Sequence, residues 1–261
     1  MMSKAEVKAH AQERFGQFAQ GYVQSSVHAS GDDLERLVEL AQPKTGWLML
    51  DIATGGGHTA LKFAPLVGRV VALDLTPKML KAARGFITEK GVSNVAFTGG
   101  DAEQLPFVAH TFDLVICRIA PHHFPDCWTF VQEAARVLKP SGKLIVQDNT
   151  VPDDERAARY VDAFERLRDP SHHRMYAGYE WQGMFLDAGL TVENLELVHK
   201  PDANLVEWAR VQGQSAGVIE RLQVMLTQAP EAARGWLNPH AAGTVDATFD
   251  HHYVMIVGQK S

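Results

Sequence analysis

Cysteine is almost missing from this chain: Cys117 and Cys127 are the only two among its 261 residues. That is too few for a disulfide framework or a four-cysteine zinc site. Cys117 lies in an apolar segment and reads as a small core residue. Basic residues are outnumbered, 25 Lys and Arg against 31 Asp and Glu, for a formal charge of -6. This balance argues against a broad nucleic-acid or anionic-membrane surface. The one arginine-rich stretch, Arg156, Arg159, Arg166, Arg168 and Arg174, is interleaved with Asp153, Asp154, Glu155, Asp162, Glu165 and Asp169. It reads as a solvated helix face. No apolar run approaches the roughly 20 residues that span a bilayer. The start, Met1-Met2-Ser3-Lys4-Ala5-Glu6, has no apolar signal-peptide core. The expectation is a soluble, cytoplasmic protein.

Apolar content near 46% is enough for one sizeable core with cap elements. The stripe Phe15, Phe18, Ala19, Tyr22 and the stripe Leu34, Leu37, Val38, Ala41 predict two opening helices, the second stopped by Pro43. From Trp47 to about Thr150 strands alternate with helices, the pattern of a mostly parallel α/β sheet. Thr76-Pro77 opens one helix, with Leu80, Ala83 and Phe86 expected on its inner face and Gly91 beyond its end. Asp126 is placed to cap the next, turning Phe130, Val131, Ala134 and Leu138 inward, and Pro140-Ser141-Gly142 leads into another strand. Beyond Thr150 helices are expected at 156–167, 180–188 and within 204–236, with strands at 191–199 and 248–257. One domain at 45–261 follows, with cap elements at about 151–189 and 203–241 and a helical segment, 1–44, before it.

Three expected strands end in aspartate: Leu50-Asp51, Leu73-Asp74 and, just past its strand, Gly100-Asp101. In an open α/β sheet the carboxyl ends of the strands share a crevice where ligands bind. Three carboxylates there describe a ligand with hydrogen-bond donors and positive charge. S-adenosylmethionine (SAM) fits, with its sulfonium, ammonium, ribose diol and adenine amino group. Gly55-x-Gly57 allows a sharp strand-to-helix turn and close backbone approach, but nicotinamide and flavin folds use the same device. Asp51 separates the cases, because a carboxylate there repels a pyrophosphate and favours an ammonium. Asp74 suits a ribose diol, which either cofactor carries. Asp101 can accept from an adenine amino group while the Ala102 N–H donates to the ring, with Leu75 and Met79 as apolar walls.

The order Leu50-Asp51-Ile52-Ala53-x-Gly55-x-Gly57, Asp74, Gly100-Asp101-Ala102, Phe112-Asp113-Leu114-Val115 and Arg136-Val137-Leu138-Lys139-Pro140-Ser141-Gly142-Lys143 resembles class I SAM-dependent methyltransferases. The likeness is nearest to the branch holding the ubiquinone/menaquinone-biosynthesis C-methyltransferases. Its cofactor motifs cover about residues 45–150, and Ala53 stands where the family often has glycine. The resemblance implies a Rossmann-like, seven-stranded, mostly parallel sheet with an antiparallel last strand, helices on both faces, an N-terminal lid over 1–44 and inserted cap helices. It also implies roles: Gly55 and the Ala53 backbone for the methionine moiety, Asp74 for ribose, Asp101 and Ala102 for adenine. The Arg118 backbone would meet the amino-acid end, and the Tyr22 hydroxyl the methionine carboxylate.

Methyl transfer from a sulfonium needs alignment above all, worth roughly 7–11 kcal/mol where geometry is good. Where the acceptor must lose a proton, His122 and His123 follow the fourth strand and are the candidate bases. His172 and Arg174 are candidate acceptor-binding residues for an anionic or phenolic small molecule. The pairs His122-His123, His172-His173 and His251-His252 suggest metal, but neighbours on a strand point to opposite faces, so none is expected. Competing readings are a SAM-binding regulatory module without turnover, an RNA or protein methyltransferase, and a nicotinamide oxidoreductase. Oligomeric state is left open.

Overall fold

The computed structural model describes residues 3–24 and 32–261; the side chains of Phe18, Gln20, Tyr22 and Gln24 lie outside the described set, and with them the expected Tyr22 contact. In chain order the elements are α1 (Lys4–Gln24), α2 (Asp32–Ala41), β1 (Leu48–Ile52), α3 (His58–Phe63), β2 (Arg69–Asp74), α4 (Pro77–Glu89), β3 (Val95–Gly99) and β4 (Phe112–Arg118). A 3-10 turn at Pro121–His123 leads to α5 (Cys127–Val137), β5 (Leu138–Asn149), α6 (Glu155–Arg168) and α7 (Gly178–Asp187). The chain closes with β6 (Leu190–Asn204), α8 (Leu205–Val211), α9 (Ala216–Thr227), α10 (Glu231–Leu237) and β7 (Thr248–Lys260).

The seven strands lie in the order β3-β2-β1-β4-β5-β7-β6. β1 to β5 pair in parallel, while β7 runs antiparallel to both neighbours. The order reverses beside β1, whose two neighbours are β2 and β4, and that is where a crevice opens. Alternate residues feed two cores, as a two-sided sheet requires. Leu50, Ile52, Val115, Cys117, Leu144 and Val146 pack with Phe130 of α5 and Trp181 of α7. Met49, Leu114, Ile116 and Ile145 pack with Leu37 of α2 and Phe63 of α3. The helices after β5 and β6 form a third cluster around Phe164, Leu205, Leu222 and Phe249.

The capping expectations mostly hold. Asp126 accepts from Thr129 N at 3.0 Å, and Phe130, Val131, Ala134 and Leu138 are buried. Pro140-Ser141-Gly142 forms a bulge inside β5, between the register pairs Phe112↔Leu138 and Leu114↔Lys143. The inner face of α4 is corrected in part: Ala83 is buried and Phe86 packs half-buried against the core as expected, but Met79, Ala82 and Ile87 are buried and Leu80 is not. α1 packs along α4 and claims the Met79–Ala82 side, which a single-helix stripe does not foresee. Thr76 precedes α4 but its hydroxyl makes no cap bond. No helix among the described residues is long and apolar enough to cross a membrane.

Candidate functional site

At the carboxyl ends of β1, β2 and β4 a cavity of about 1050 Å³, counting its open mouth, is lined by Asp51, Ala53, Gly55, Asp74, Leu75, Met79, Asp101, Ala102, Arg118 and His123. Three residues of α1 complete it: Lys8, Ala11 and Phe15. Ten of the positions singled out in the sequence therefore meet in one place.

Local geometry explains why. β1 ends at Ile52 and the chain turns through Ala53 and Gly55, both left-handed, with φ of 53° and 54°. Alanine is tolerated there at a cost that glycine would avoid. Gly57, at φ 85°, does not line the cavity; a Cβ there would stand 2.9 Å from Ile87 Cδ1. Its role is to let the helix pack. Asp74 is tied to the same turn, accepting from Gly55 N at 3.0 Å and from Thr76 N at 2.8 Å. The glycine turn after β1 and the start of α4 are thus both held by the carboxylate expected to meet ribose.

Asp51 is buried and accepts from the Thr54 hydroxyl at 2.6 Å. Burial pushes its carboxyl up to about 7, against the pull of the Thr54 and Ala60 hydrogen bonds and of Arg118. A cation arriving in the cavity would reverse that shift. Burial also raises Asp74, opposed by the Thr76 and Gly55 bonds. Asp101 carries a lysine: Lys8 Nζ lies 2.7 Å from its Oδ2 and 2.8 Å from Glu103 Oε2.

Arg118 lines the cavity, and its guanidinium donates to the buried Asp33 of α2 at 2.7 and 3.1 Å. Gln147 Nε2 donates to the same carboxylate oxygen at 3.0 Å. Next in the chain, Ile119 has φ 50°, a conformation β-branched residues rarely adopt, and it too lines the cavity. Strain of this kind marks functional loops, and nothing in the local sequence signals it.

The two candidate bases part company. His122 is buried and turned away from the cavity, its Nδ1 2.6 Å from Asp148 Oδ1. Its ring lies between those of His123 and His172, with centroid separations of 4.0 and 5.5 Å. His123 lines the cavity, with Phe15 edge-on at 4.8 Å. Its Nδ1 lies 3.0 Å from the Ser171 carbonyl, and Ser171 Oγ donates to Asp169 at 2.6 Å. A carbonyl only accepts, so His123 carries its proton on Nδ1 and its lone pair on Nε2. Burial and the neighbouring His122 push His123 down to about 3, leaving it neutral at physiological pH.

His172 and Arg174 line a different, more open cavity with His10, Asp162, Arg166 and Tyr179. His172 Nε2 is 2.8 Å from Asp162, and Arg174 pairs with Glu180. The two cavities are separated by α1, which gives Val7 and His10 to one and Lys8, Ala11 and Phe15 to the other. Lys8, Phe15, Thr54 and Ile119 are lining residues that the sequence did not reveal. Only Phe15 had a signal, as part of a helix stripe.

The fit to SAM can be judged on these atoms. The cavity presents three carboxylates of separate strand ends, a left-handed glycine turn open to close approach, and the apolar Leu75 and Met79. That set of acceptors suits a cationic nucleoside and opposes a pyrophosphate. Comparison with known proteins agrees. A family profile described as a methyltransferase domain matches residues 50–146. An uncharacterised methyltransferase of Bacillus subtilis, YcgJ, is 37% identical over 220 residues, 84% of this chain and 87% of that protein. The solved structure of YcgJ superimposes with a TM-score of 0.84, at 34% identity, covering 88% of this chain and 98% of that one.

The chain belongs to the class I SAM-dependent methyltransferases.

Within them it falls in the branch resembling the ubiquinone/menaquinone C-methyltransferases. The Pseudomonas fluorescens enzyme of that name, UbiE, is 36% identical over 131 residues, 49% of this chain and 51% of the relative. The match thus spans about half of each protein. SAM is the methyl donor.

Proposed function

We propose that this methyltransferase acts on a small molecule and that His123 receives the proton the acceptor loses. SAM would be held by Asp51 and the Ala53–Gly55 turn at its amino-acid end, by Asp74 at ribose, and by Asp101, Ala102, Leu75 and Met79 at adenine. When bound it supplies a methyl group already activated for displacement by its sulfonium.

The protein's part is positioning and proton transfer. His123 has its Nδ1 proton committed to the Ser171 carbonyl, at 3.0 Å, so Nε2 is the basic atom available to the cavity. Asp169 stays ionised: burial raises its carboxyl, but the hydrogen bonds from the Ser171 hydroxyl and N–H and the charge of Arg14 hold it below the usual carboxylate range. Its charge, one hydroxyl away, offsets the positive charge that His123 acquires. His172 and Arg174 belong to the second cavity, which we read as the acceptor's approach, with α1 as a lid between the two. A net charge of -6 and concave cavities favour a small molecule over a polynucleotide.

The observation that carries the reading is the convergence of Asp51, Asp74, Asp101 and His123 on one cavity. Release of S-adenosylhomocysteine (SAH) over a panel of quinols, phenols and amines tests it. Turnover of at least one class is expected, while NAD does not bind by calorimetry. A protein that binds SAM tightly yet turns over none of these, and instead methylates RNA or protein, would refute it.

A further inference from the structure

α1 is held by two kinds of contact that divide along its length. In its C-terminal half Phe15, Ala19 and Val23 pack with Met79 and Ala82 of α4, an apolar seam. In its N-terminal half the anchors are polar. Lys4 Nζ lies 2.6 Å from Asp126, and Lys8 Nζ bridges Asp101 and Glu103 at 2.7 and 2.8 Å. Gln12 Nε2 donates to the Leu75 carbonyl at 2.8 Å. Lys8 and Ala11, which wall the cavity from this half, therefore lie where α1 is tied to the segments after β2 and β3, where ribose and adenine are expected.

The difference matters because the two seams answer to different conditions. Apolar packing is insensitive to moderate salt, whereas ion pairs open to solvent are screened within about 10 Å at 0.1 M salt. The Lys8 side chain is 22% exposed and that of Asp101 30%, so this pair feels the solvent. For a ligand to leave the cavity past Lys8 and Ala11, the polar anchors must break while the seam on α4, Phe15 included, can persist. The geometry makes the seam a pivot and the lysine a latch.

We propose that Lys8 is a cofactor-retaining residue, closing the adenine end of the first cavity through Asp101 and Glu103 and releasing it when α1 pivots on its α4 seam. This rests on SAM occupying the first cavity. Asp101 then serves the cofactor through Oδ1, which also accepts from Glu103 N at 2.9 Å, and Lys8 through Oδ2, so the filled site holds the latch as the latch holds the filled site.

The test is the rate at which tritiated SAM leaves the full-length protein when chased with excess unlabelled SAH, at 50 mM and 500 mM salt. Lys8→Met keeps the aliphatic stem and removes the charge. It is expected to release label about five- to tenfold faster than wild type at low salt, the size of one or two partly exposed ion pairs. Wild type should approach the variant's rate at high salt, and the variant, which keeps the Lys4–Asp126 and Arg14–Asp169 pairs, should change less than wild type. Glu103→Gln, which removes the other anchor of the same ammonium, should behave alike and serves if Lys8→Met folds poorly. A merely structural role would lower the melting temperature without altering the salt dependence of release. Variants that release label at the wild-type rate with the wild-type salt dependence would overturn the proposal. Wild type retaining no label would overturn the cofactor placement with it.

Discussion

Replacing Asp51 by asparagine sets the stability of this fold against its affinity for the cofactor. Burial raises the Asp51 carboxyl from 3.8 to about 7. Between those values the folded protein keeps a proton that the unfolded chain has released. Stability from this group is therefore present at acid pH and lost as pH rises toward 7. Each unit of pKa difference is worth about 1.4 kcal/mol, so wild type should lose roughly 2–3 kcal/mol from this group between pH 5 and pH 8. Asparagine cannot ionise and keeps an oxygen for the Thr54 hydroxyl, now 2.6 Å away. Urea titrations of both proteins at pH 5 and 8 should thus show the variant gaining that amount relative to wild type. Asp148, also raised to about 7 by burial, is common to both and cancels. Cofactor binding should move the other way. The ionised carboxylate favours an ammonium, so at pH 8 the variant should bind SAM about 10- to 100-fold more weakly, as loss of a charge-assisted bond requires. Below pH 6 the two should converge, because wild type is itself protonated. Stability curves that stay parallel from pH 5 to pH 8 would refute the argument.

Other outcomes follow from single contacts. Asp74→Ala removes the acceptor of Gly55 N and should weaken SAM binding at least tenfold by calorimetry; unchanged affinity would take Asp74 out of the site. His123→Gln should leave SAH affinity within about twofold while cutting turnover roughly 10²–10⁴-fold, and equal turnover would exclude it as the base. Gly57→Ala places a methyl 2.9 Å from Ile87 Cδ1 at φ 85° and should cost about 2–3 kcal/mol in urea unfolding. A smaller loss would show that the turn relaxes. Asp33→Ala breaks the buried pair with Arg118 and should destabilise by about 3–5 kcal/mol, read by thermal unfolding; a neutral result would mean that water replaces the carboxylate.

Much of the scaffold was readable because its causes are local. Asp126, with a side chain that reaches Thr129 N, marks the start of α5 in the sequence and in space. The alternation of strands and helices around Asp51, Asp74 and Asp101 predicts a parallel sheet with acidic strand ends, and those three do line one cavity. Where a second element intrudes, the reading slips. The buried face of α4 extends to Met79 and Ala82 because α1 lies against it. His122 and His123 are adjacent and chemically identical, so no local rule distinguishes them. Asp148 and Ser171, 26 and 48 residues further on, draw one into the core and orient the other.

The sequence by itself determined the fold class, the position of the strand-end carboxylates and the glycine turn, since each follows from hydrophobic period, strand-end placement and backbone freedom within a few residues. Tertiary structure alone decided which histidine faces the cavity, that Arg118 is bound to Asp33 across 85 residues, and that Lys8 sits on Asp101 across 93. Such pairings depend on where helices dock on a twisted sheet. Packing of the whole chain sets that, and no stretch of it carries the information alone.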